Sequence, residues 1–198
     1  MIISVNGNIG SGKSSILKKL DKLGYKVYLE GINRDAWGDF LSKFYDAPST
    51  YSFSFQTVVL ADMSKLLEKI INDDDDDIVF IERSVIDCYA FAKLHYNSGN
   101  MSETEFSTFK YLYKKLALFP DYNIYLDVDS KTCIDRISFR GRDCESAVSI
   151  DYIKDVEKVT KDMLVTSMIK NIYIDCNKKC IDTIVLELVN LLNNKLFN

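Results

Sequence analysis

The sequence holds a single histidine, His95, and its five cysteines (Cys88, Cys133, Cys144, Cys176 and Cys180) include no C-x-x-C pair. A zinc site needs clustered Cys and His ligands, and a disulfide scaffold an even, dense set of cysteines; neither pattern is present. Reduced thiols of a cytoplasmic protein are the default expectation. Basic charge is also in short supply. The 25 Lys and Arg against 29 Asp and Glu give a net charge of −4, with no dense basic stretch of the kind that binds nucleic acid. No signal peptide and no membrane-spanning run is evident. The N-K-x-D base-reading motif of switch GTPases is missing too, since Asn177-Lys178-Lys179-Cys180 has no aspartate in place. Repeats and linkers are absent. Low complexity is confined to Asp73–Asp77, where mutual repulsion and a place between helix and strand predict a solvated turn, not a metal site. The composition, 47% hydrophobic and 27% charged over 198 residues, fits one soluble globular domain spanning 1–198.

The strongest positive signal lies in the first fifteen residues. An apolar run, Met1 to Val5, leads into Gly7-Asn8-Ile9-Gly10-Ser11-Gly12-Lys13-Ser14-Ser15, the G-x-x-x-x-G-K-[ST] phosphate-binding loop. Glycines let backbone N–H groups turn inward around phosphate oxygens, and the following helix presents its positive end. Lys13 is expected at the β- and γ-phosphates and the Ser14 hydroxyl at Mg²⁺. Strand before and periodic helix after (Ile16, Leu17, Leu20) supply the required context, so the chain is expected to bind a nucleoside triphosphate.

Further along, Tyr25–Leu29 reads as a second strand, Ile78–Ile81 as a third buried on both faces, Asn123–Val128 as a fourth and Ile172–Asp175 as a fifth. Helical periodicity covers Lys13–Leu23, Trp37–Tyr45, Tyr51–Asn72, Val85–Tyr96, Ser102–Phe119 (opened by a Ser102-x-x-Glu105 capping box), Ser130–Phe139, Asp151–Ile169 and Ile181–Leu196. Five strands alternating with helices predict an α/β doubly wound parallel sheet with helices on both faces.

Three clusters add chemistry to the loop. Glu30 follows the second strand, at the ligand crevice of such a sheet, where a carboxylate can orient and deprotonate an acceptor hydroxyl. Glu82-Arg83-Ser84 follows the third strand; Glu82 stands where P-loop enzymes hold Mg²⁺, and Arg83 can neutralise charge on a transferring phosphoryl group. Arg136-x-x-x-Arg140-Gly141-Arg142-Asp143-Cys144-Glu145 carries three guanidinium groups and a hinge glycine, an Arg-rich lid over about 136–148 that can clamp phosphates and exclude water. The lone His95 on a helix reads as a packed or surface residue.

Taken together, these elements resemble the deoxyribonucleoside kinases over nearly the whole chain. The likeness rests on the phosphate loop and Glu30, on Tyr45-x-x-Pro48-x-x-Tyr51-Ser52-Phe53-x-Phe55-Gln56, on Glu82-Arg83-Ser84, on Asn100-Met101-Ser102-Glu103-Thr104-Glu105, and on the lid. The resemblance implies transfer of the ATP γ-phosphate to the 5′-hydroxyl of a deoxynucleoside in nucleotide salvage, with Mg²⁺ at Ser14 and Glu82. Glu30 would be the base, with Arg83 beside it. Tyr45 and Glu145 would hold the sugar 3′-hydroxyl, Gln56 would read the base edge, and Phe55 and Phe91 would wall the base with Trp37 nearby. Arg136, Arg140 and Arg142 would clamp phosphates, and the loop with Asn177 and Lys178 would border the donor's base. A homodimer through helices 51–72 and 102–119 is implied as well.

Some positions depart from the family pattern. Gly31 follows Glu30 where proline is usual, Trp37 lies two residues later than expected, and a one-residue shortening after Arg83 leaves open whether Asp87 or Cys88 faces the base. Met63 stands where deoxycytidine kinase carries arginine, and Val59 where it has a smaller residue, which favours thymidine and deoxycytidine as substrates. The main alternative is a nucleoside monophosphate kinase such as thymidylate kinase, which shares loop, sheet and lid. It would need an extra cation near the second strand; Glu30 repels a monophosphate there, and only Arg34 could supply the charge. A non-catalytic nucleotide-binding protein is the remaining reading, and it has no need of a base, a metal carboxylate and a lid together.

Overall fold

The computed structural model describes residues 1–30, 35–73, 77–145 and 148–193, with the backbone alone for 35–38. Alternation along the strands decides how the sheet is clad. In β1 (Ile2–Gly7), Ile3 and Val5 join one core and Ile2 the other; in β3 (Val79–Glu82), Phe80 sides with Ile3, and Val79 and Ile81 with Ile2. With β2 (Lys26–Tyr28), β4 (Tyr122–Asp127) and β5 (Lys170–Asp175) they form an all-parallel sheet in the order β2-β3-β1-β4-β5. β1 is therefore the central strand, flanked by β3 and β4, and the chain switches sides of the sheet at its C-terminal end.

On one face, α3 (Pro48–Asn72), α4 (Val85–Asn97) and α5 (Glu103–Leu116) bury Leu60, Leu67, Cys88, Ala92 and Phe109, with Leu41 and Phe44 of α2 (Asp35–Asp46) closing the end. On the other, α1 (Lys13–Lys22), α6 (Ser130–Arg140) and α8 (Ile181–Asn193) bury Leu17, Leu20, Cys133, Ile137, Ile184 and Leu188. α7 (Ile150–Thr166) lies against α4 and α6. A polar row crosses the sheet beneath it. Asn6 Nδ2 donates to the Ser4 hydroxyl (2.9 Å), Asn123 Nδ2 to Asn171 Oδ1 (3.0 Å), and Asn171 Nδ2 to the Leu164 carbonyl of α7 (2.7 Å).

Five parallel strands and helices on both faces are as the periodicity predicts. The Ser102–Glu105 capping box is made, with the Ser102 hydroxyl accepting from Glu105 N–H (3.2 Å) and the Glu105 carboxylate from Ser102 N–H (2.8 Å). Boundaries differ where local rules compete. Pro48 begins α3, three residues before the expected start, because proline lacks only an N–H that a first-turn residue does not use. α5 stops at Leu116, before Phe119, and β5 starts at Lys170, before Ile172. The solvated turn expected at Asp73–Asp77 falls largely on 74–76, outside the described residues. No helix among the described residues is long and apolar enough to cross a membrane.

Leu60 is fully buried on α3, whereas Leu23 is mostly exposed after α1. Leu60→Ala is expected to lower unfolding free energy by about 2–5 kcal/mol and Leu23→Ala by under about 0.5 kcal/mol in urea titrations.

Candidate active site

The tips of β1, β2 and β3 meet at one crevice. Gly12 opens α1 in a left-handed conformation with no side-chain cap, unlike α4, α5 and α7, each capped by a serine hydroxyl. The first turn of α1 thus presents its N–H groups toward whatever enters the loop. Gly10, which the motif does not specify, is required as well. Its φ is +79°, and a Cβ there would stand 2.5 Å from the Cys133 carbonyl oxygen. Lys13 Nζ lies inside the loop, donating to the carbonyls of Gly7 (3.0 Å) and Asn8 (2.7 Å). Burial, with Arg83 nearby, lowers its pKa to about 8. Asn8 turns its amide away from the crevice, donating to the Ile153 carbonyl of α7 (2.8 Å).

Beside the loop, three carboxylates and two cations share buried space. Ser14 Oγ donates to Glu82 Oε1 (2.6 Å), and Glu82 Oε2 accepts from Glu30 N–H (3.2 Å). Arg83 holds a left-handed backbone (φ 67°), unusual for a non-glycine residue. From there its Nε donates to Glu30 Oε2 (3.1 Å) and its Nη1 to Asp87 Oδ1 (3.2 Å), while its guanidinium lies 5.1 Å from the Phe91 ring centre. Burial raises the pKa values of Glu30 and Asp87, with Arg83 opposing both shifts. Glu30, Glu82 and Asp87 thus lie beside Lys13 and Arg83 in one buried cluster.

A cavity of about 470 Å³ runs from this cluster between α2, α3, α4 and the end of α6 with the turn after it. It brings together most of the residues singled out from the sequence: Ile9, Gly10, Gly12, Lys13, Ser14 and Ser15 of the loop; Glu30, Glu82 and Arg83; Tyr45, Phe55, Gln56, Val59 and Met63; and Phe91, Arg136, Arg140, Arg142 and Glu145. Asp87 and Cys88 both line it, but the Asp87 carboxylate is already engaged by Arg83 and by Ser84 N–H (3.1 Å). Burial holds the Tyr45 phenol protonated, and the Tyr152 and Glu145 side chains add to that effect. Arg136, Arg140 and Arg142 do not converge on one point. Arg136 donates to the Ser11 carbonyl (3.2 Å), while Arg140 and Arg142 both pair with the buried Glu145 carboxylate.

Gly7, Asn8 and Ser11 shape the loop from behind and do not line the cavity. Asn177 and Lys178 also stand outside it; Asn177 Oδ1 accepts from Asp129 N–H (2.9 Å), and Lys178 has φ 57°. Gly31, Arg34 and the Trp37 side chain lie outside the described residues. Sequence reasoning missed Lys18, Leu41, Phe44, Phe139 and Tyr152, all of which line the cavity. Lys18 continues the Ser14 face of α1, and Phe44 adjoins Tyr45, so both had a local signal. Tyr152 had none, since only the packing of α7 against α4 brings it in.

A phosphate loop after β1, a carboxylate–arginine pair just past β2 and β3, and a pocket beside them define a P-loop phosphotransferase. The deoxynucleoside kinase family profile matches residues 3–194. The chain therefore belongs to the deoxynucleoside kinase family, and its fold is that of these ATP-dependent phosphotransferases. It is 33% identical over 162 residues to the deoxyadenosine/deoxycytidine kinase of Bacillus subtilis, covering 78% of this chain and 72% of that one. With the deoxyguanosine kinase of Dictyostelium discoideum it shares 31% over 170 residues, 83% of this chain and 59% of the relative. A structure of deoxyadenosine kinase from M. mycoides, with dCMP and dCDP bound, superposes with a TM-score of 0.86 at 26% identity, covering 98% of this chain and all of that one.

The Lys13 shift has a measurable consequence. A lysine whose pKa falls on folding opposes stability while charged, and the cost is relieved as pH rises through about 8 toward the ordinary value of 10.5. Between pH 7.5 and 10, urea unfolding is expected to move in favour of wild type over Lys13→Met by on the order of 2–3 kcal/mol.

Proposed function

We propose that this kinase transfers the γ-phosphoryl group of ATP to the 5′-hydroxyl of a deoxynucleoside, with thymidine and deoxycytidine preferred. The observation that carries this reading is the Glu30 carboxylate. It is gripped by Arg83 Nε at 3.1 Å within the cavity that the phosphate loop also lines. Glu30 accepts the hydroxyl proton as the oxygen attacks phosphorus and the bond to the β-phosphate oxygen breaks. Burial, which raises its pKa, suits it to hold that proton. Arg83 keeps the carboxylate aimed, and with Lys13 it offsets charge on the transferring group. The Ser14 hydroxyl and Glu82, all-oxygen donors 2.6 Å apart, suit Mg²⁺. Ser14 and Glu82 would hold the ion, which would supply charge neutralisation at the phosphates.

In the same reading, Tyr45 and Glu145 hold the sugar, Gln56 reads the base edge, and Phe55 and Phe91 wall the base with Trp37 nearby. Segment 136–148 of this single domain is the lid whose arginines clamp phosphates, and Asn177 and Lys178 border the donor's base. The preference for pyrimidines is supported by Val59 and Met63, one turn apart on α3 and both lining the cavity, which offer apolar room in place of a cation. Exposed Val58 on α3 and Tyr111 on α5 suit the pairing of these helices across a homodimer.

Initial rates with Mg-ATP against the four deoxynucleosides and thymidine monophosphate test the acceptor. Nucleoside turnover is expected, falling about 10²–10⁴-fold in Glu30→Gln. Turnover of the monophosphate alone would replace this reading with a thymidylate-kinase one. Met63→Arg is expected to lower thymidine kcat/KM relative to deoxycytidine by about 10–200-fold, read in competition assays.

A further inference from the structure

The chain's one histidine lies outside the cavity yet touches two of its walls. His95, in the last turn of α4, is 3% exposed. Its ring meets Phe44 of α2 edge-on (centres 4.9 Å apart, 78°), and Phe44 in turn stacks on Phe55 (4.8 Å, 19°). Nε2 stands 3.4 Å from the hydroxyl of Tyr152 on α7, and Nδ1 stands 3.4 Å from Asn100 Nδ2. The turn after α4 folds back on the same residue, with Asn100 N–H (2.8 Å) and Met101 N–H (3.2 Å) both donating to the His95 carbonyl. Phe44 and Tyr152 line the cavity, as does Phe55 behind Phe44, so one imidazole touches two of its lining side chains from behind.

The hydrogen-bond partners point to one tautomer. An amide nitrogen only donates, so Nδ1 must accept from Asn100. A neutral imidazole then carries its single proton on Nε2 and donates it to the Tyr152 oxygen. Burial keeps the ring neutral, with a pKa lowered to about 4. With that side of the oxygen occupied by a donor, the Tyr152 proton is left to point into the cavity that this side chain lines.

We propose that His95 is a positioning residue of the acceptor site, holding Tyr152 as a hydrogen-bond donor to a sugar oxygen of the deoxynucleoside. The proposal rests on the kinase reading above and adds a residue that the family motifs do not mark. Asn100 gains a role with it, as the side chain that sets the imidazole proton.

Because the chain has one histidine, nitrogen NMR of the intact protein reads its tautomer without assignment. The Nε2–H form is expected, with ring signals that move on adding thymidine or deoxycytidine. An Nδ1–H tautomer would overturn the proposal. In kinetics, His95→Leu and Tyr152→Phe are each expected to raise nucleoside KM about three- to tenfold, the loss of one hydrogen bond, with ATP KM and kcat unchanged. His95→Gln, which keeps a donor, is expected to recover much of that loss, and Tyr152→Phe keeps the ring packing should His95→Leu fold poorly. Unchanged nucleoside KM in Tyr152→Phe, with an active wild type, overturns the positioning role alone. A wild type that phosphorylates no deoxynucleoside overturns the kinase reading and this role with it.

Discussion

Burying like charges side by side is costly unless an opposite charge is shared among them, and in this molecule the Arg83 guanidinium is the shared charge. It reaches Glu30 from β2 and Asp87 from α4 at once, and it lies against Phe91. The reach depends on the left-handed backbone at Arg83, which turns the chain sharply between β3 and the capped start of α4. Asp87 serves twice, closing the helix cap through Ser84 N–H and steadying the arginine. A local helix start and a buried ion pair of the cavity are thus one construction. Loss of the arginine would leave the carboxylates to repel one another and the cap residue to face them.

The phosphate loop is held by the same economy of contacts. Its lysine is secured by the loop's own carbonyls, its glycine at position 10 sits against the carbonyl of Cys133 on α6, and its asparagine reaches α7. Arg136 returns from α6 to the loop through the Ser11 carbonyl. α6 and α7 are therefore both tied to the loop, and Arg140, Arg142 and Glu145 lie between those ties in the chain.

Much of this was legible from the chain alone, for physical reasons. Strand runs buried on both faces are continuous and apolar, and the loop motif fixes both the identity and spacing of its residues. Phe55, Val59 and Met63 recur at four-residue intervals, so their common exposure to one cavity follows from helix geometry. What escaped depends on packing between distant elements. Tyr152 enters the site because α7 lies on α4, Gly10 is obligatory because α6 approaches the loop, and His95 reads as inert until α2 and α7 are placed around it. The left-handed Arg83 was likewise invisible, since nothing in Glu-Arg-Ser announces a positive φ. Helix ends shifted by a turn at Pro48 and Phe119, where the choice between first-turn proline and breaker is made by what lies beyond.

The central place of β1 also bears on how the molecule comes to be folded. The strand that carries the phosphate loop is paired on one side by β3 and on the other by β4, and Ile2 N–H donates to the Asp121 carboxylate 119 residues further along the chain. Its backbone groups stay half-paired until both distant strands have docked, so closure of the nucleotide site belongs to the late, non-local phase of folding. A chain arrested before β4 would present an apolar, unpaired strand edge at the very segment that later binds phosphate, the kind of surface on which chaperones act and aggregates begin.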